Sequence, residues 1–323
     1  MRTVPVLFGP YGSAAVEFID RFERYGANAL WFHGFDPVAF EACEASGVAA
    51  CVEFKTFRAD FSARPELVPT GVDGRPIRYG RLVQGICLSQ QEFLDEIAAD
   101  LVDGLQAYQP AGVWLDYLTY AGWFEVPDPD LQDSCFCQAC IADFCTATGL
   151  DTTSPAEILR TAPELWERRK CQRIAEYARQ YADLIHAKLP DCVVGAYMCP
   201  WQPPEFDRAL TRIFAQDYAR LAPAIDVFTP LVYCAKSGRG PGWGREFLDA
   251  SPAFVPGDRP VQLILDAKDF PASVRDTAAA SPPSHGLQVF DGAAVLRDPH
   301  LSAEFAAAVE RIRTEQTRPS PRL

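Results

Sequence analysis

Two sets of residues in this 323-residue chain have the types and spacing to do chemistry. The first is Cys135-x-Cys137-x-x-Cys140, three sulfurs within six residues. Thiols at this spacing are the mark of a metal or redox site. A structural zinc takes four ligands, and all of them are satisfied inside the protein. Cys87 or Cys145 could supply the fourth. Cys87 is preferred, because it would tie the loop after the third strand to the loop after the fourth. A closed Cys87–Cys135–Cys137–Cys140 site has no open position, so its zinc would be structural. Buried unmetallated thiols and an iron–sulfur cluster are the alternative readings.

The second set consists of acids at the ends of apolar runs. Gly112-Val113-Trp114-Leu115-Asp116 reads as a buried strand that ends on a carboxylate. Glu53 and Asp266 end two similar runs. Two carboxyl groups flanking one bond are what glycoside hydrolysis needs: one protonates the leaving oxygen, and the other attacks the anomeric carbon or activates water. Aromatic and polar side chains recur at the same strand ends. His33, Tyr117, Tyr197 and Tyr233 could orient sugar hydroxyls. Trp201, in a proline-rich loop, is a better stacking platform than Trp114 within its strand. Glu125, in the loop after Asp116, could reach over the site. Asp226 starts its strand and reads as structural.

These residues need elements to position them. Apolar runs alternate with helical periodicity along the whole chain. Strands are expected at Val4–Phe8, Asn28–His33, Val48–Phe54, Gly112–Asp116, Cys192–Met198, Asp226–Tyr233, Val261–Asp266 and Gly286–Phe290. Helices are expected at Ser13–Tyr25, Pro37–Ser46, Gln90–Tyr108, Glu164–Leu189 and Leu301–Glu315, with a largely helical Pro203–Ala222. A further short helix should start in the cysteine run and end at Gly149. Eight such repeats predict a single (β/α)8 TIM barrel over 1–316 with long loops after strands 3 and 4, and a disordered tail at 317–323. Barrel chemistry sits at the C-terminal ends of the strands, where Glu53, Asp116 and Asp266 fall.

Composition narrows the function classes. The net charge of −13 argues against a nucleic-acid or anionic-membrane partner. No apolar run approaches a membrane span of about 18–20 residues. The short apolar N-terminus reads as a strand and not as a secretory signal. Eleven cysteines, several in apolar strands, suggest a reducing, cytoplasmic setting. Four histidines without zinc-site spacing, and no Gly-x-Ser-x-Gly, argue against a His-based hydrolytic metal centre or a serine triad. Gly9-Pro10-Tyr11-Gly12 lacks the spacing of a dinucleotide fingerprint.

Ile86-Cys87-Leu88-Ser89, with Cys135-Phe136-Cys137-Gln138-Ala139-Cys140 and Phe144, resembles the four-cysteine zinc site of glycoside hydrolase family 42 β-galactosidases. Gly112–Tyr120 and Asp226–Tyr233 look more like other, uncharacterised glycoside hydrolase families with TIM-barrel folds. The resemblance spans roughly 80–270. It implies a barrel glycosidase with structural zinc and a carbohydrate substrate. Family 42 ends its fourth strand in Asn-Glu, where this chain has Leu115-Asp116. A fourth-strand Asp is more like the nucleophile of α-fucosidase-type or α-galactosidase-type barrels. The resulting expectation is Asp116 as nucleophile and Asp266 as acid/base, with Glu53 a substitute for either. Rival readings are a catalytically silent carbohydrate-binding barrel, and a lyase or deacetylase on the same fold. A homo-oligomer is compatible with all of them.

Overall fold

The computed structural model describes residues 3–77, 85–257 and 259–317. Eight parallel strands alternate with helices in a nearly closed barrel: β1 Phe8–Pro10, β2 Ala29–His33, β3 Ala49–Lys55, β4 Gly112–Asp116, β5 Val193–Met198, β6 Val227–Val232, β7 Leu263–Asp266 and β8 Leu287–Phe290. Each strand from β2 to β7 pairs with the next, and β8 pairs with both β7 and β1. The seam between β1 and β2 is closed by Asn28 N–H to Phe8 O at 2.9 Å and Gly12 N–H to Trp31 O at 2.8 Å. Gly9 is required at this seam, because a Cβ there would collide with the Ala29 carbonyl oxygen.

Strand alternation sorts side chains between two cores. Trp31, Cys51, Trp114, Tyr197 and Ile264 fill the barrel interior. Their neighbours Phe32, Val52, Val113, Leu115 and Leu265 face the surrounding helices. Trp31 and Trp114 meet edge to face, centroids 5.3 Å apart, and the Trp114 Nε1 donates to Thr229 Oγ1 at 2.8 Å. Gly112 and Gly195 leave the room that the Trp114 ring occupies. Two steps along each strand from this apolar layer come His33, Glu53, Asp116 and Asp266. The period that buries the tryptophans therefore also aims these residues into the C-terminal mouth.

Most elements lie where periodicity puts them. Pro37–Ser46 is helical as expected, with Asp36 capping it by accepting from Val38 N. The helix Gln138–Thr148 starts inside the cysteine run, and Pro163–Lys188 is the long helix. Three expectations need correction. The first strand is Phe8–Pro10 and not Val4–Phe8, since it is Phe8 that registers with Leu287 of β8. Ser13–Arg21 winds as a 3-10 helix. Short helices at Pro155–Thr161, Trp243–Ala250, Ala272–Thr277 and Gly292–Arg297 were not foreseen; each has a turn or two, too little to show a period. Thr317 ends the last helix, Pro299–Thr317, and the rest of the expected tail lies outside the described residues. Among the described residues, no helix is long and apolar enough to cross a membrane.

Candidate active site

Glu53 on β3 and Asp116 at the end of the adjacent β4 meet at the mouth. Glu53 is 5 % exposed and partnered on several sides. The Tyr11 hydroxyl donates to its Oε2, Lys55 Nζ lies 3.8 Å from Oε1, and His33 Nδ1 lies 3.7 Å from Oε2. Asp116 has no cation within ion-pair distance among the described residues. Burial pushes its carboxyl well above the usual carboxylate range, and the Glu53 charge pushes it in the same direction. Thr56 fixes the backbone here, donating from Oγ1 to Asp116 O at 2.7 Å and from N at 2.9 Å. Tyr117 follows in the left-handed region (φ 55°), a strained geometry for a large side chain.

Across the mouth stands a second group. Lys236 Nζ lies 3.3 Å from Asp266 Oδ2 and 3.5 Å from Glu125 Oε2. It also sits over the rings of Tyr233 and Phe290, 4.1 Å and 4.5 Å from their centroids. Asp266 further accepts from Lys268 N at 3.0 Å. Burial raises the Glu125 carboxyl, and Lys236 opposes that rise. Lys236 thus joins the loop after β4, the loop after β6 and the end of β7. The same two loops touch where Gly238 packs on Pro127.

Between these groups lies a cleft of about 420 Å³, lined among others by Asp116, Tyr117, Trp123, Phe124, Glu125 and Tyr197. A cleft of about 780 Å³ at the opposite end of the barrel is lined by prolines, Arg259 and His285, with no carboxylate among its described residues.

Of the residues singled out from sequence, Glu53, Asp116, Asp266, His33 and Tyr117 gather at the mouth. Tyr197 lies deeper: it is 3 % exposed, and its hydroxyl hydrogen-bonds the Gln288 side-chain amide at 2.8 Å. Tyr233 is equally buried, its ring covered by Phe290 and Lys236. Trp201 is not a platform. It is 2 % exposed and packs among Phe124, Phe206 and Phe214, so neither ring face reaches the cleft. Trp123 and Phe124 line it instead, with Tyr117 and Tyr197. Neither Tyr11 nor Lys236 was singled out from the sequence as a site residue. Tyr11 could have been found, since it lies two residues beyond Gly9 on the inward face. Lys236, in an irregular turn, gives no such signal. Asp226 is structural as read, accepting from Val194 N at 2.9 Å.

The four thiols Cys87, Cys135, Cys137 and Cys140 converge, with all sulfurs within 4.8 Å of one another. Cys87 Sγ lies 3.6 Å from Cys137 Sγ and 3.8 Å from Cys140 Sγ. A tetrahedral ion with metal–sulfur bonds of about 2.3 Å requires sulfurs about 3.8 Å apart, so the donor set fits a metal. Hydrogen bonding from Cys135 holds the Cys87 thiol down at about 7. Backbone N–H groups of Thr70 and Cys140 point at Cys135 Sγ (3.3 Å) and Cys137 Sγ (3.5 Å), as they do toward thiolates. Cys145, the alternative fourth ligand, instead donates to Thr152 O at 3.1 Å. Phe136 stacks on Trp166, with Phe144 against the same ring, to form an apolar jacket around the cluster.

No protein-family model and no curated protein matches this sequence. Solved structures do. The PgaB (BpsB) glycoside hydrolase domain from Bordetella bronchiseptica superposes with a TM-score of 0.72 at 13 % identity, covering 93 % of this chain and 98 % of that one. The chain shares the fold of TIM-barrel glycoside hydrolases. Gan42B, a family 42 β-galactosidase from G. stearothermophilus, gives 0.67 at 14 % identity over 97 % of this chain. The β-galactosidase of Halorubrum lacusprofundi gives 0.64 at 16 % over 99 %. The chain spans 58 % and 59 % of those two enzymes.

Proposed function

We propose that this protein is a glycoside hydrolase in which Asp116 is the proton donor. The observation that carries this reading is the placing of two acids, Glu53 and Asp116, side by side on adjacent strands at the barrel mouth, where burial and the Glu53 charge both raise the Asp116 carboxyl. Two like charges in contact do not both ionise readily, so such a pair holds one proton. Tyr11, Lys55 and His33 surround Glu53, which favours the negative charge on Glu53 and the proton on Asp116. A carboxyl that keeps its proton near neutrality is suited to protonate a leaving glycosidic oxygen. This reverses the role expected for Asp116 from its likeness to fourth-strand nucleophiles.

Glu53 is too close to Asp116 to be the second acid. The two carboxyls that flank a scissile bond stand about 5–5.5 Å apart in retaining enzymes and about 6.5–9.5 Å apart in inverting ones. The acid on the other face of the sugar therefore comes from across the mouth. Asp266 is the choice, paired with Lys236 and positioned by Lys268 N–H. Trp123 and Phe124 supply apolar surface between the two sides. Cys87, Cys135, Cys137 and Cys140 would hold a zinc that fastens the third and fourth loops. With all four positions taken by sulfur, it would leave the chemistry to the carboxyls.

The test is hydrolysis of a panel of aryl glycosides by the wild type, Asp116→Asn and Asp266→Asn. The reading expects both variants to lose activity, and the loss in Asp116→Asn to be least for the best leaving groups, which need little protonation. An Asp116→Asn enzyme as active as the wild type on poor leaving groups refutes the assignment.

A further inference from the structure

The two sides of the mouth differ in charge. On the β6–β7 side one ammonium, Lys236, serves two carboxylates, Glu125 and Asp266. On the β2–β3 side Lys55 Nζ lies 3.8 Å from Glu53 Oε1, and Arg58 is a second cation beside them. His33, its side chain 60 % exposed beside Glu53, has the pKa of its imidazole lowered by partial desolvation and by the nearby charges of Lys55 and Arg58, against the opposing pull of Glu53. Arg58 is the cation without a partner: the residue is exposed, its guanidinium lies 5.6 Å from the Tyr117 ring centroid, and it has no carboxylate within ion-pair distance among the described residues. The Tyr117 backbone, in the left-handed region next to Asp116, sets the ring beside which Arg58 lies. In a chain of net charge −13, an unpaired guanidinium beside a buried acid calls for an anionic partner.

We propose that the site takes an acidic sugar whose anionic group, a uronyl carboxylate, lies against Arg58 and Lys55 while its glycosidic oxygen faces Asp116. The proposal rests on the glycosidase reading for the second half of that geometry only. A guanidinium beside an aromatic ring, with no carboxylate of its own, keeps its planar fork of N–H donors available to grip a carboxylate through two hydrogen bonds. A sulfate ester offers the same chemistry, and the experiment separates the two.

The experiment is calorimetric titration of the full-length, zinc-loaded protein with glucuronate, galacturonate and galactose 6-sulfate, and with glucose and galactose. Wild type, Arg58→Gln and Arg58→Lys are compared. Hydrolysis of the aryl glucuronide, galacturonide, glucoside and galactoside is measured in parallel. A charge-assisted contact at a partly solvated site predicts acidic sugars bound about tenfold more tightly than neutral ones, with the advantage shrinking as salt is added. Arg58→Gln should erase most of that advantage and Arg58→Lys should keep part of it. Tighter binding of the sulfate than of either uronate supports the anion subsite and makes sulfated sugars its ligands. Neutral sugars bound as tightly as acidic ones overturn the proposal, as does an acidic preference unchanged in Arg58→Gln. Acidic sugars bound with no glycoside cleaved would leave the subsite standing and remove the hydrolase. Neutral glycosides cleaved with no acidic preference would do the opposite.

Discussion

Replacing Glu53 by Gln removes one negative charge from beside Asp116 and keeps the volume. Two carboxylate charges about 4 Å apart repel by about 4 kcal/mol at an effective dielectric near 20. That is about a thousandfold in the balance between protonated and ionised Asp116. Screening takes little of it, because the Glu53 side chain is only 6 % exposed. The burial that also raises Asp116 is unchanged by the substitution. Glu53→Gln should therefore lower kcat/KM near neutral pH by about 10²–10³-fold, within the range a general acid supplies. It should also move the alkaline limb of the pH–rate profile to lower pH, so that part of the activity returns on acidification. The assay is a profile of kcat/KM against pH for wild type and variant on one substrate with a poor leaving group. An alkaline limb that stays in place, or moves to higher pH, would refute the shared-proton argument.

Three further outcomes are expected. Because the Asp116 carboxyl is raised in the folded protein, its stabilising contribution is complete below the ordinary aspartate value of about 3.9 and is lost as pH rises through the folded value. Asp116→Asn should then melt higher than wild type at neutral pH but not in acid, and a melting difference independent of pH would contradict this. Lys236→Met leaves Glu125 and Asp266 facing each other without their cation. Its loss of melting temperature should be larger near pH 7.5 than near pH 4.5, where carboxylates begin to protonate, while Lys236→Arg should lose little at either. Cys140→Ser should abolish zinc binding by elemental analysis and lower the melting point by about 5–10 °C, taking several kcal/mol at about 2 °C each. Cys145→Ser should keep its metal, since that thiol is bonded to Thr152 O.

What could be read from sequence depended on whether a residue's environment repeats. Gly112–Asp116 was legible to the residue, because a strand buried on both faces shows as an unbroken apolar run and its terminal acid stands out. The same holds for Asp266 on β7. β1 was misplaced because Val4–Leu7 is as apolar as a strand, while the pairing segment contains a glycine and a proline; what fixes it is register with β8 and the close approach to Ala29, both long-range. The thiol cluster was legible because three ligands are local. Cys87 could be preferred over Cys145 only by its place in the third loop. Aromatics at loop positions were not sortable: Trp201 and Trp123 look alike in the chain, and only packing against Phe206 and Phe214 buries the former. Lys236 was invisible for the same reason, since its partners come from another loop and from the end of β7.

The thiol cluster also bears on how this site could change. It fixes Cys87, at the end of the third loop, and Cys135–Cys140, at the end of the fourth, to one point. The fourth loop is therefore a span clamped at both ends, between Asp116 in the barrel wall and the sulfur knot. Leu118–Ala121 are buried and Asp133 is ion-paired with buried Lys170, so the place where the span can change is residues 128–130, where Asp128 and Asp130 are exposed; doubling the length of a flexible span costs only about 0.6 kcal/mol. That makes it a cassette. Grafting other sequences at 128–130, with the knot and the barrel left intact, is a route to new specificities that leaves Glu53, Asp116 and Glu125 where they are.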